Sequence, residues 1–218
     1  MGSQPQLIPR AELDDERRRR RLRLAAAFVL VGCGSVLLGG AAWSVLRVEL
    51  AQQRDLGLLA SAVVPPGAPE TLPRPAPPPL PGELLGRLTI PARGVDTSIR
   101  EGVADDVLDE AAGHLPGTAL PGGAGNSAIA AHREQLFSGL RSVVDGERVH
   151  RETAAGRSSY RVTDLSVVEP NDLSMLAPTD DPALTLITCY PFNYVGPAPR
   201  RFVVRATRVG DRPPAALE

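Results

Sequence analysis

The residues in this chain best suited to covalent chemistry are one cysteine and the histidines and arginines that could serve it. Of 218 residues only two are Cys, at positions 33 and 189. Cys189 follows the run Leu184-Thr185-Leu186-Ile187-Thr188, whose apolar side chains alternate with threonines as in a strand. Pro191, two residues on, stops any ladder. A thiol so placed ends a strand and faces a loop, where reactive groups are often presented; a buried structural Cys is the plainer alternative. His132 has the same setting, closing Ser127-Ala128-Ile129-Ala130-Ala131 ahead of Arg133-Glu134. His114 lies among Gly113, Pro116 and Gly117 in a turn-rich stretch, and His150 reads as a strand-surface residue. Arg200 and Arg201 open the apolar segment Phe202-Val203-Val204. Consecutive strand residues face opposite sides, so at most one of this pair points at a shared site. An Arg beside a thiol favours the thiolate and can donate to a developing oxyanion; a pair of solvated edge charges is the alternative. Together, a Cys, a remote His and an Arg on the following strand form a coherent set for nucleophilic acyl transfer. No carboxylates cluster with metal-loop spacing, and this chemistry needs neither metal nor organic cofactor.

These residues must be positioned by a mainly β domain. Strands are expected over Leu84–Ile90, Val95–Ile99, Ser127–His132, Glu147–Arg151, Ser158–Val168, Ala183–Cys189 and Arg201–Arg208. They are rich in β-branched and aromatic residues and punctuated by Gly and Pro. Short helices are expected over Ala104–Ala112, with Asp105 and Asp106 near its N-terminal end, and over Glu134–Arg141. Seven or eight short strands in this length predict a closed barrel.

The rest of the chain reads as a tether. The formal net charge of −1 gives no global field for nucleic acid, but Arg17–Arg21 and Arg23 form a local basic cluster. Residues 1–23 are read as a cytoplasmic basic tail. Leu24–Leu46 carries no charge, and as a helix covers roughly 34 Å, enough for a bilayer core of about 30 Å. It is too long for the apolar region of a cleaved signal peptide. The basic cluster outnumbers Arg47 and Arg54 beyond the span, so the N-terminus is placed in the cytoplasm and everything after Leu46 outside. Residues 47–64 are read as a helical juxtamembrane stalk. Residues 65–82, with nine prolines, form an extended spacer. The catalytic domain is placed at 83–209 and a C-terminal tail at 210–218. Cys33 in the span and Cys189 outside cannot pair, so no disulfide framework exists.

Here a resemblance becomes specific. Thr185-Leu186-Ile187-Thr188-Cys189 resembles the sortase signature strand, and Pro116-Gly117-Thr118 through Asn126, Ile129 and Ala131-His132-Arg133 resembles the region of the sortase catalytic His. Cys189 through Phe202 is similar to the class D branch. The likeness spans about Leu84 to Ala206, departing where Ala130-Ala131 replaces a common Ala-Gly. It implies a sortase β-barrel of about eight strands, with Cys189 as nucleophile, His132 as general acid/base and Arg201, from Arg201-Phe202-Val203-Val204, as oxyanion donor. It implies substrate contacts at Thr188 and Tyr190. The activity implied is transpeptidation: cleavage of a C-terminal LPxTG- or LPxTA-like motif at Thr, then transfer to an amine of a peptidoglycan stem or a pilin lysine. Exported proteins are the implied partners, at a bacterial cytoplasmic membrane crossed once. Leu115-Pro116-Gly117-Thr118-Ala119 itself resembles a sorting motif, but lies inside the domain and is read as a structural turn. Two other readings use the same residues: a cysteine protease that hydrolyses its acyl enzyme, and an inactive membrane-tethered peptide-binding domain.

Overall fold

A computed structural model describes residues 10–62 and 77–209. The chain divides into two compact units, residues 1–47 and residues 48–218. One helix, α1 (Arg10–Ala62), opens the described chain and contributes to both. The helical stretch therefore begins inside the expected basic tail. Its Ala27–Leu59 portion is long and apolar enough to cross a membrane, by length and composition. The remainder of the Pro-rich spacer, residues 65–76, and the tail at 210–218 lie outside the described residues.

The second unit holds the expected barrel. Its strands are β1 (Leu84–Ile90), β2 (Val95–Glu101), β3 (Ala112–His114), β4 (Asn126–Ala130), β5 (Arg148–Thr153), β6 (Gly156–Val168), β7 (Ala183–Tyr190) and β8 (Arg200–Val209). They close in the order β1-β2-β3-β4-β7-β8-β6-β5, with β5 pairing back to β1. Closure removes every sheet edge. Leu88, Ile99, Ile129, Leu184, Leu186 and Val204 fill the interior. β6 carries a register shift between Val162 and Asp164. Tyr160 and Val162 pack inward before it and Leu165 after it, as an extra residue in a strand requires.

Both expected helices are shorter than the sequence suggests. The first shrinks to α2 (Asp105–Leu108), because Ala112 already belongs to β3, which runs parallel to β2 and antiparallel to β4. Gly113 makes that insertion possible: a Cβ there would sit 2.2 Å from the Gly102 carbonyl oxygen. The second is a 3-10 turn over Ser138–Ser142. Phe137 and Leu140, three apart and fully buried, suit three residues per turn.

The end of α1 within this second unit is docked, not free. Gln52 accepts from the Ser98 backbone N–H at 2.6 Å through its Oε1 and donates to the Glu110 carbonyl at 2.6 Å. Asp55, 2% exposed, takes a two-pronged ion pair from Arg100 at 2.8 and 3.0 Å. That pair holds the Arg100 guanidinium pKa above its ordinary value, burial opposing it.

Candidate active site

β7 and its neighbours bring the predicted residues to one face. Leu184 and Leu186 of β7 face the core, so Ile187 and Cys189 turn outward. β4 lies parallel to β7, with Ala130 opposite Ile187. β7 runs on through Cys189 to Tyr190, whereas β4 ends at Ala130, so His132 lies two residues past the last pair at the same end of the sheet. The Ala131 N–H donates to the Ile187 carbonyl at 3.2 Å, extending the register past the ladder. On the other flank β8 runs antiparallel, with Cys189 opposite Arg201 and Tyr190 opposite Arg200. Arg201 therefore shares the outward face with the thiol. Arg200 lies over the Tyr190 ring, 5.8 Å from its centroid.

These groups have distinct surroundings. The Cys189 thiol is partly exposed and unpaired. The His132 side chain is 38% exposed, with its Nε2 3.9 Å from Asp109 Oδ1. Arg201 donates through Nη1 to the Ala198 and Arg200 carbonyls at 3.2 and 3.0 Å. Beside it lies a mainly apolar cavity of about 190 Å³, with Ala130 and Ile187 in its floor and Leu173 and Leu176 in its wall. Ala128 and Ala130 turn outward from β4, and their small size leaves room for the cavity. A larger depression of about 600 Å³ around His150 and Arg157 touches none of the three residues.

The wall is the loop between β6 and β7, pinned by groups that are ordinary in sequence. Asn126 donates through Nδ2 to the Met175 and Ala177 carbonyls at 2.8 and 3.2 Å. Thr185 donates to Asn126 Oδ1 at 2.7 Å, orienting the amide. Arg205 adds a 3.2 Å bond to the Met175 carbonyl. At the loop start, Asp172 accepts from the Ser174 side chain and backbone, which hold its carboxyl below the usual carboxylate range.

Two expected substrate contacts lie elsewhere. Thr188 alternates inward from Cys189, is 2% exposed, and donates its hydroxyl to the Ala131 carbonyl at 2.7 Å. It ties the Cys strand to the residue before His132, and a substrate contact through that hydroxyl would cost this bond. Tyr190 joins Phe192 and Phe202 in an aromatic cluster, with centroids 6.1 and 6.3 Å away, again on the face opposite the thiol. Of the other histidines, His114 is 1% exposed and bonded to Glu101 at 2.6 Å, and His150 meets Ser159. The sorting-motif-like segment is a closed turn, with Thr118 Oγ1 donating to the Leu115 carbonyl at 2.8 Å. Asp109, Asn126, Arg133 and Arg205 support the site without any local sequence signal of that role. Among the described residues, no three His, Cys, Asp or Glu side chains group as metal ligands.

Comparison with known proteins identifies the family of the barrel. A family model described as a sortase domain matches residues 88–209. Sortase D of Bacillus subtilis (strain 168) is 30% identical over 129 residues, covering 59% of this chain and 65% of that protein. The chain thus spans just under two thirds of that relative's length. A Clostridium perfringens Sortase D5 transpeptidase superposes with a TM-score of 0.56 at 28% identity, covering 61% of this chain and 83% of the other. A Streptococcus suis sortase C1 gives a TM-score of 0.57 at 28% identity, covering 60% and 75%.

Proposed function

The chain belongs to the sortase family, and from that premise we propose that it is a membrane-anchored cysteine transpeptidase with Cys189, His132 and Arg201 as its catalytic residues. The observation that carries this is the register: Arg201 lies directly across from Cys189, and His132 follows two residues after the strand on the other flank. The Cys189 thiolate attacks the Thr carbonyl carbon of a sorting motif, and the carbonyl electron pair moves to oxygen. Arg201 donates to that oxyanion, in the manner of a preorganised donor. The intermediate collapses with cleavage of the C–N bond. The leaving amine takes a proton from imidazolium His132, which leaves a thioester on Cys189. An incoming amine gives its proton to His132 and displaces the thiolate, forming a new amide.

The cavity beside Arg201 has the apolar lining to hold the side chains that precede the scissile Thr. The apolar Ala27–Leu59 portion of α1 and the basic cluster before that portion support an anchored enzyme with its N-terminus in the cytoplasm and its barrel outside. Exported proteins with a C-terminal sorting motif are the donors, and peptidoglycan-stem or pilin-lysine amines the acceptors. Product analysis with and without amine tests this reading. The transpeptidase makes a new amide only with amine present, whereas a protease gives one hydrolysis product throughout. An inactive binding domain retains peptide with no covalent adduct.

A further inference from the structure

Arg133 follows His132 directly but has no part in the chemistry above. Its residue is 4% exposed, so the guanidinium lies inside the protein. Nη2 donates to the Tyr194 carbonyl at 2.7 Å and to the Gly196 carbonyl at 3.3 Å. Nε lies 2.7 Å from the Glu134 carboxylate, which is itself exposed. Tyr194 and Gly196 belong to the loop that joins Cys189 to Arg201. The tip of that loop is otherwise solvent-facing: Tyr194 is 46% and Val195 96% exposed.

From this we infer that Arg133 is a positioning residue, clamping the loop between Cys189 and Arg201 onto the His132 strand and so shaping the side from which the amine reaches the thioester. A buried cation demands compensation; the two carbonyls supply the hydrogen bonds of Nη2, while Nε and Nη1 make none among the described residues. If the loop swings away, the guanidinium is left with Glu134 alone. Closed loop and buried charge therefore stabilise each other. The clamp also brackets the acid/base: Thr188 ties the residue before His132 to the Cys strand, and Arg133 ties the residue after it to the Cys loop. A loop exposing Tyr194 and Val195 over a thioester would limit water while guiding an amine, provided it is held still. Loosening it should affect the second half-reaction more than the first.

The role in amine transfer rests on the transpeptidase reading; the clamp itself does not, and the test separates the two. Full-length protein in detergent is compared with Arg133→Lys and Arg133→Gln. Lys keeps the charge, but its ammonium sits on a shorter stem than the guanidinium Nη2 that reaches both carbonyls. One arm, without substrate, follows amide deuterium exchange over residues 193–198. The other follows thioester formation on Cys189 with an LPxTG-type peptide, then the KM for triglycine amide and the ratio of transfer to hydrolysis. The clamp predicts faster exchange at Tyr194–Gly196 in both variants. It also predicts a transfer-to-hydrolysis ratio lower by about tenfold to a hundredfold, the scale of a small misplacement of reacting groups, with acylation falling less. Unchanged exchange in Arg133→Lys, the variant more certain to fold, overturns the clamp. Equal losses in acylation and transfer reduce Arg133 to a structural role. If wild-type Cys189 never forms an adduct, the transpeptidase reading fails, and the exchange arm still decides the clamp.

Discussion

Replacing Thr188 by valine separates two accounts of a residue adjacent to the nucleophile. Thr188 is 2% exposed, and its hydroxyl donates to the Ala131 carbonyl at 2.7 Å. Valine keeps the β-branched shape and removes only the donor. A net hydrogen bond contributes about 1 kcal/mol, and a carbonyl left buried without its partner costs about 1–3 kcal/mol. In a domain of this size each kcal/mol lowers Tm by roughly 2–8 °C, so a fall of several degrees is expected. Because Ala131 precedes His132, release of the tie also lets the imidazole drift relative to Cys189. A misplacement of about 1 Å at such a site costs on the order of a hundredfold in rate. The assay pairs thermal unfolding with steady-state cleavage of a fluorescent sorting peptide. Valine should lower Tm and kcat with little change in peptide KM, and Thr188→Ser, which keeps the hydroxyl, should recover most of both. An unchanged Tm with a raised peptide KM would show instead that the hydroxyl contacts substrate and refute the reasoning.

Other expectations follow from the same geometry. Arg201→Ala should lower kcat/KM by about 10²–10³, the usual cost of an oxyanion donor, whereas Arg200→Ala, which loses only an exposed contact with the Tyr190 ring, should change it by less than about tenfold; equal losses would contradict the register argument. Asp55→Ala should destabilise the full-length protein in detergent by about 1–3 kcal/mol, less than a fully buried pair because Arg100 is partly exposed and keeps Glu110 nearby, and an unchanged melt would mean that the helix end is not docked. Asp172 has a folded pKa depressed below its unfolded value, so its contribution to the loop is present at neutral pH and lost as pH falls through that lowered value. Protection of the amides of residues 173–176, corrected for the pH dependence of intrinsic exchange, should therefore fall at acid pH in the wild type, and Asp172→Asn should show the lowered protection already at neutral pH. A variant whose exchange matches wild type at neutral pH would rule that contribution out.

What could be read without coordinates depended on whether a local pattern carried it. β1 lies on its expected bounds, Leu84–Ile90, and polar and apolar residues alternate over its second half, Arg87-Leu88-Thr89-Ile90. Strand alternation said only that one of Arg200 and Arg201 faces the thiol, and the resemblance of Arg201-Phe202-Val203-Val204 selected Arg201; the antiparallel register has Arg201 opposite Cys189. β3 escaped because three residues are too few to show a period, and the neighbouring aspartates favoured a longer helix. The pairing of β4 with β7 joins segments more than fifty residues apart, so the nearness of His132 and Cys189 rested on resemblance alone. Thr188 and Tyr190 were expected to contact substrate because of the resemblance, and strand alternation turns both to the face opposite the thiol. Docking of Gln52 and Asp55 was invisible because two polar residues on a helix usually mark its solvated side. The clamp by Arg133 was equally hidden, since its partners are backbone carbonyls about sixty residues away and carbonyls leave no trace in residue type.

The central claim is that Cys189 forms a thioester with a sorting-motif peptide and passes it to an amine. Intact-protein mass spectrometry tests it most directly, applied to full-length protein, Cys189→Ala and His132→Ala after exposure to an LPxTG-type peptide, with and without triglycine amide. An adduct is expected on Cys189 of the wild type, equal in mass to the peptide up to its Thr. That adduct should be discharged by the amine to a new amide product, with no adduct in Cys189→Ala and severely slowed formation in His132→Ala. An adduct that persists in Cys189→Ala, or a wild-type protein that cleaves the peptide without ever carrying mass on Cys189, would contradict it.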